Sequence, residues 1–294
     1  MPELPDITVY LDCLAPRVLG HSLKRLVVRN PFVLRSVSPS PADVAGATVT
    51  GLRRLGKRIV LALEGERFVV IHLMIAGRLR WHARDAKPPG KAALALFEFP
   101  AGILALTEAG TTRRASIHLV AGEAALAQFD RGGLEIFDTD RQAFADRLVS
   151  ENHTLKRALT DPRLFSGIGN AYSDEILHRA RLSPLALTRK LDPDQIGRLF
   201  DAARATLSEW TARLRAEVGD GFPDKVTAFR EGMAVHGRYR EPCPVCGTPV
   251  QRIRYAANET NYCARCQTGG RLLADRAMSR ILRDDWPRSI DDVE

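Results

Sequence analysis

Apolar residues recur at helical spacing at the start of the chain and then change period. Ile7, Leu11, Leu14 and Val18 fall three to four residues apart, which predicts one amphipathic helix over residues 5–20. Pro16 kinks or ends it late. Short apolar and β-branched runs follow, separated by turn residues, at 26–28, 48–52, 59–63, 68–73, 79–82, 92–99, 103–106 and 115–120. Eight short strands before residue 125 predict a β-sandwich or barrel with the first helix at its flank.

The pattern turns helical again after a linker-like stretch from Gly132 to Asp140. One helical segment spans 153–160, and Gly167-Ile168-Gly169-Asn170 breaks the period sharply. The helix resumes over 171–180 and stops at Ser183-Pro184. Asp192-Pro193 is a good N-cap and first-turn pair. The stripe after it (Ile196, Leu199, Phe200, Ala203, Leu207, Trp210, Leu214) reads as core. The domains read as 1–130, a β-rich unit; 131–150, a linker; 151–235, helical; 236–283, a cysteine-bearing finger; and 284–294, a short acidic solvated tail. The fold class is α+β multidomain.

Cys243-Pro-Val-Cys246 and Cys263-Ala-Arg-Cys266 are two tight turns that each aim a pair of thiolates at one point. Two such pairs read as a closed tetrahedral site for one structural zinc ion. The span between them suits a β-hairpin, with strand 250–255, a polar tip Asn258-Glu259-Thr260-Asn261 and a return at Tyr262. Four cysteines committed to metal leave only Cys13, which fits a reducing compartment. No apolar run is long enough to span a bilayer and no secretory leader is recognisable. The expectation is a cytoplasmic protein, a monomer with no membrane partner.

The net charge of +8 is unevenly placed. Residues 236–283 hold nine arginines, no lysine and three acids. A basic finger of this kind reads as a binder of the nucleic-acid backbone.

The first residues, Met1-Pro2-Glu3-Leu4-Pro5, offer a different chemistry. Removal of Met1 exposes a secondary amine on Pro2. A generic α-amino group is neutral in about one molecule in ten at pH 7, a lysine in about one in 2,500. A proline amine starts more basic than the generic α-amine, so it needs burial or a neighbouring cation to free its lone pair. Such an amine can attack an aldehyde-like carbon and form an iminium, with Glu3 moving the proton.

Taken in order, the Met-Pro-Glu-Leu-Pro start, the β-rich first domain, the Gly167-Ile-Gly-Asn170 loop and the four-cysteine finger resemble the formamidopyrimidine-DNA glycosylase / endonuclease VIII family. The resemblance runs nearly end to end. It implies a β-sandwich domain, a helix–two-turn–helix domain and a β-hairpin zinc finger, with damaged DNA in the cleft between the halves. It implies a bifunctional DNA glycosylase and AP lyase of base-excision repair that removes oxidised bases and cuts by β- and δ-elimination. It makes Pro2 the Schiff-base nucleophile, Glu3 its proton-transfer partner and Lys57 a phosphate contact near the lesion. It places His72, Ile75, Arg113, Lys156, Asn170 and Asn258 on DNA, with Glu175 as a supporting acid behind them.

The chain departs from the family at several of these points. Asn258 stands where the family's finger carries an arginine. His72-Leu73-Met74-Ile75 replaces His-Leu-Gly-Met, so Ile75 is the wedge. Arg113-Arg114-Ala115 replaces Arg-Arg-Phe, so the bulky aromatic is gone. Asp220 to Arg230 does not resemble the glycine-rich loop that covers 8-oxoguanine. These departures point toward the endonuclease VIII-like side. A DNA-binding module without chemistry, and a zinc-ribbon protein acting on RNA or in transcription, are the competing readings.

Overall fold

The computed structural model of the protein describes residues 1–86, 90, 92–109, 112–224, 226, 229–255, 258–274, 281 and 287–292. The chain forms two compact units, one of residues 1–131 and 210–227, the other of 132–209 and 228–294.

The first unit opens with helix α1 (Leu4–Val18). Asp6 caps it by accepting the Glu3 amide at 2.8 Å, which satisfies one of the donors a helix start leaves open. Ile7, Tyr10, Leu14 and Val18 are fully buried along one face. Pro16 lies within the last turn, and the helix stops two residues later. Strands β1 (Arg25–Val28), β2 (Val49–Leu55), β3 (Arg58–Leu63), β4 (Arg67–His72), β5 (Gly77–Ala83), β6 (Ala93–Phe99), β7 (Gly102–Glu108) and β8 (Ser116–Ala121) follow, with short helices α2 (Pro41–Val44) and α3 (Glu123–Ala127). They build two antiparallel four-stranded sheets, in the orders β1-β6-β7-β5 and β2-β3-β4-β8. All eight strands fall where the alternation predicts them. The main core gathers Ile59, Leu61 and Leu63 of β3 with Leu94, Phe97, Leu104 and Leu106 of the other sheet. The opposite face of β3, Val60 and Ala62, packs with Phe68, Val70 and Leu126. Burial on both faces explains why β3 and β4 are nearly unbroken apolar runs.

Residues 219–226 return to this core. Phe222 lies 5.7 Å from the Tyr10 ring, Val226 is buried in the main cluster, and Arg17 donates to the Asp220 and Gly221 carbonyls at 2.9 and 3.0 Å.

The second unit contains α4 (Arg141–Ser150), α5 (Leu155–Thr160), α6 (Asn170–Ala180), most of α7 (Pro193–Val218), β9 (Gln251–Tyr255), β10 (Asn258–Tyr262) and α8 (Ala264–Thr268). The 131–150 stretch, read as a linker, therefore carries a helix. Asp140 caps it by accepting from Ala143 at 2.8 Å. Phe144 is buried against the rings of Phe165 and Phe200 at 4.8 and 5.3 Å. The helix buries only Phe144 and Leu148, too few for a periodicity to register. The caps at Asp192 and the α7 stripe form as predicted, with Asp192 accepting the Gln195 amide at 2.7 Å.

Two further expectations need correction. Asn258 pairs with Tyr255, so Asn258 to Asn261 form the return strand of the hairpin and not its tip. Of the run read as a solvated acidic tail, residues 287–292 are described, and they pack. Ile290 joins a cluster with Ile253, Tyr262, Leu272 and Leu273, its amide bonds the Gly270 carbonyl at 2.8 Å, and Asp291 pairs with Arg265. One isoleucine among acids is enough to hold this segment down. Arg276, Arg280, Arg283, Asp284 and Asp285 lie outside the described residues, as does the Asn258 side chain.

Candidate functional site

The four predicted metal ligands converge. The sulfurs of Cys243, Cys246, Cys263 and Cys266 all lie within 4.8 Å of one another. Three of the Sγ pairs stand 3.4, 3.5 and 3.9 Å apart. A tetrahedral zinc with bonds of about 2.3 Å spaces its sulfurs about 3.8 Å apart, so this all-thiolate set fits one structural zinc ion. Four protein ligands leave no open position for chemistry.

Helix α6 organises the rest of the second unit. Ahead of it, Gly167 takes φ +79°, a conformation open to glycine at little cost, and Ile168 is buried behind the loop. Gly169 is the N-cap and Asn170 the first helical residue. The Asn170 amide donates to the Glu259 carbonyl of β10 at 2.9 Å. One turn on, Asp174 is buried at 1% exposure. Its carboxylate accepts from Lys156 Nζ at 2.5 Å, lies 2.7 Å from His236 Nδ1 and accepts the Asn261 amide at 3.2 Å. Lys156 also donates to the Asn170 carbonyl at 2.6 Å. Lys156, expected on DNA, is thus built into a buried ion pair. Glu175, expected as a supporting acid, accepts the amides of Ala234, Val235 and His236 at 2.7, 2.9 and 2.9 Å. Burial raises its pKa against the pull of those three donors. Further along the same helix, His178 Nε2 sits 3.3 Å from Cys243 Sγ. Helix α6 therefore meets the hairpin, the segment leading into the finger and the cysteine cluster.

Asp174 and His236 were not singled out from the sequence. Nothing in the polar-rich run Asn170–Ala180 marks Asp174 above its neighbours. His236 shows its role only when the chain folds back.

In the first unit the chain terminus is built into the packing. Pro2 and Glu3 are buried and Met1 is partly so. Burial lowers the pKa of the Met1 amine below its ordinary value. Glu3 and Asp6 oppose that shift, while Arg78 and Lys57 add to it. Pro2, Glu3 and Lys57 thus share one neighbourhood, with Arg78 as a fourth member the sequence did not reveal. Lys57 is set there by the β2–β3 turn at Gly56, whose φ is +60°.

His72 ends β4, paired in register with Arg58 on one side and Ser116 on the other. Burial first, then Arg58, Lys57 and His118, lower its pKa to about 4. Ile75 follows in a tight loop and is 63% exposed. The loop is closed by the Gly77 amide on the Leu73 carbonyl at 2.9 Å. A Cβ on Gly77 would meet that carbonyl oxygen at 2.3 Å. Arg78 donates to the Ile75 carbonyl at 3.0 Å, so the exposed isoleucine stands on a fixed base. Met74 holds φ +54°, where the resemblance has glycine. Arg113 is exposed. Beyond it, buried Glu108 accepts the amides of Arg114 and Ala115 at 2.9 and 3.0 Å. Ala115 is itself buried and cannot stack on a base.

Known proteins share the order of domains. The domain model for the formamidopyrimidine-DNA glycosylase N-terminal domain matches residues 1–114, and that for the formamidopyrimidine-DNA glycosylase H2TH domain matches 135–216. A zinc finger found in FPG and IleRS matches 240–269. The formamidopyrimidine-DNA glycosylase of Heliobacterium modesticaldum is 34% identical over 283 residues, covering 91% of this chain and 100% of that one. An uncharacterized formamidopyrimidine-DNA glycosylase-like protein of Mycobacterium tuberculosis is 41% identical over 151 residues, 51% of this chain and 94% of its own. The crystal structure of the MutM (FPG) protein from Thermus thermophilus superposes with a TM-score of 0.75 at 31% identity, over 90% of this chain and 98% of that one. These relatives bear the formamidopyrimidine-DNA glycosylase name, not that of the endonuclease VIII side toward which the altered segments pointed.

Proposed function

This chain belongs to the formamidopyrimidine-DNA glycosylase family and is a DNA glycosylase with AP lyase activity, and we propose that the amine of Pro2, uncovered by loss of Met1, is its nucleophile. The observation that carries this reading is the setting of the terminus: Pro2 and Glu3 are buried, and the Met1 amine next to them has its pKa lowered by burial first, with Glu3 and Asp6 opposing that shift and Arg78 and Lys57 adding to it. A buried amine beside two cations keeps more of its lone pair at neutral pH than one in water.

The substrate is an oxidised base in DNA, reached by swinging its nucleotide out of the stack, because C1′ is shielded inside a duplex. The Pro2 nitrogen bonds to C1′, the bond from C1′ to the base breaks, and the base leaves with a proton. The bond from C1′ to the ring oxygen then opens, Glu3 supplies the proton to that oxygen, and the nitrogen and C1′ form an iminium. The iminium acidifies C2′–H, and loss of that proton expels the 3′-phosphate. A second elimination releases the 5′-phosphate. Water finally adds to C1′ of the iminium, the C1′–N bond breaks, and the sugar fragment leaves as an aldehyde, returning the Pro2 amine.

Lys57, His72, Ile75 and Arg113 serve the DNA from the first unit, Asn170 and the finger around Asn258 from the second. Ile75 fills the gap that an extruded nucleotide leaves, as apolar wedges do. Lys156 acts through Asn170 and Asp174, to which it is bonded. The zinc ion holds the finger in shape and takes no part in bond breaking. The protein works as a monomer in a reducing cytoplasm, the compartment being supported by its cysteine usage.

Incision of an oligonucleotide with one abasic site tests the proposal. Protein freed of Met1 cuts the strand, and protein that retains Met1 cuts far more slowly. Equal cutting by the two forms overturns the assignment of the nucleophile.

A further inference from the structure

The first unit has an exposed aromatic ring that the proposed chemistry does not use. Phe32 is 78% exposed, yet its backbone is fixed. It sits in a one-turn 3-10 helix, Pro31–Val33, with its amide bonded to the Asn30 side chain at 3.0 Å. On one side of that turn the Arg29 and Asn30 amides bond the Leu94 carbonyl at 2.9 and 3.0 Å. On the other, the Arg35 amide bonds the Ile117 carbonyl at 2.8 Å, and Val33 is buried in the core. The ring is therefore presented on a rigid mount.

Phe32 lines an open groove of about 680 Å³ with Arg29, Gly90, Ala93 and Arg113. Arg29 reaches the Gly90 carbonyl at 3.5 Å. Among the described residues, none of those lining the groove is acidic. Ala115, two residues past Arg113, is buried and offers no ring, so the aromatic that shares a groove with Arg113 comes from a different element.

A π face that shares a groove with two arginines matches one kind of ligand, a nucleobase attached to its phosphate. Stacking on an aromatic face is tolerant of base identity, and the arginines answer the backbone charge. A base inside a duplex has both faces covered, so the ligand must be unpaired or displaced. We propose that Phe32, with Arg29 and Arg113, forms a stacking subsite for an unpaired nucleobase of the bound DNA. The proposal rests on the reading of this chain as a DNA-repair enzyme but is separable from it.

The test uses the full-length, zinc-loaded protein and oligonucleotides carrying 2-aminopurine, whose fluorescence is quenched on stacking. Wild-type protein quenches the probe in a single strand and in a duplex where it faces an abasic analogue. Phe32→Ala loses the quench and binds the single strand about tenfold more weakly, as removal of one stacked base predicts. Phe32→Trp restores both, and affinity for a fully paired duplex changes less than about twofold in either variant. Unchanged binding and quenching in Phe32→Ala, or an equal loss on paired and unpaired DNA, overturns the subsite. Cleavage of an abasic site by the wild-type protein is scored in parallel. A protein that cuts without Phe32-dependent quenching retires the subsite alone, and one that quenches without cutting retires the enzymatic reading and keeps the subsite.

Discussion

Asn170 and Glu259 are joined across 89 residues of sequence by one hydrogen bond, the Asn170 amide donating to the strand carbonyl at 2.9 Å. It ties the first residue of α6 to the return strand of the finger hairpin. The two elements expected to hold DNA in the second unit are thus set against each other before DNA arrives.

Asn170→Ala removes that tie and weakens binding to an abasic-analogue duplex about tenfold, the upper range for one hydrogen bond with its positioning effect. The slope of affinity against salt stays the same, because no charge is removed. Asn170→Asp binds more weakly still, since its carboxylate faces both the Glu259 carbonyl and the DNA. Fluorescence anisotropy over a salt series measures all three, and tighter binding by the aspartate variant than by the alanine variant contradicts the account.

Lys156 gives a prediction about stability and not about DNA. Its partner Asp174 has no exposed side-chain surface, so Lys156→Met leaves the buried carboxylate only His236 and the Asn261 amide and costs about 3 kcal/mol. Urea denaturation reads this as a lower midpoint. Adding Asp174→Asn to Lys156→Met recovers part of the loss, because the two residues are directly coupled. A lysine that only touched DNA would leave the midpoint where it was.

His72 makes the first unit sensitive to acid. Its pKa in the folded chain is lowered to about 4 from the ordinary 6.5, by burial and then by Arg58, Lys57 and His118. As pH falls, the unfolded chain takes up this proton first. The stability linked to His72 is complete above about pH 6.5 and is lost between there and about pH 4. The expected proton NMR titration keeps its ring neutral down to pH 5. His72→Gln flattens the fall in melting temperature over that window. It does not abolish it, since burial, Arg58 and Arg35 depress His118 as well.

The wedge loop separates strand state from chemistry. Ile75→Ala leaves the melting temperature nearly unchanged, because the side chain is 63% exposed. It slows incision at a lesion in duplex DNA while incision of a single-stranded abasic site keeps its rate, since only a duplex needs its gap filled. Met74→Gly relieves a left-handed backbone worth about 1–2 kcal/mol, less the entropy of glycine in the unfolded chain, and raises stability slightly. Equal losses on both DNA forms would remove Ile75 from the wedge role.

Much of this molecule was legible from its sequence because its signals are local. Strands such as β3 and β4 are dense apolar runs between turn residues, and Cys-x-x-Cys pairs declare their geometry within four residues. The helix at 141–150 escaped because Phe144 and Leu148 alone mark its buried face. The hairpin tip was misplaced because polar residues read as a turn, whereas Asn261 turns its side chain inward to accept the Gly237 amide at 2.9 Å. The Lys156–Asp174–His236 cluster joins residues up to 80 positions apart, and no spacing rule reaches that far. Arg78 beside the terminus is hidden for the same reason, since only the β5 register carries it there.

The most direct test of the central claim is borohydride reduction of the protein bound to an abasic site, followed by peptide mass spectrometry of the adduct. The account predicts a single covalent link, carried by the peptide that begins at Pro2, in protein whose Met1 has been removed. An adduct on Lys57 or another lysine, or none from correctly processed protein, would contradict it.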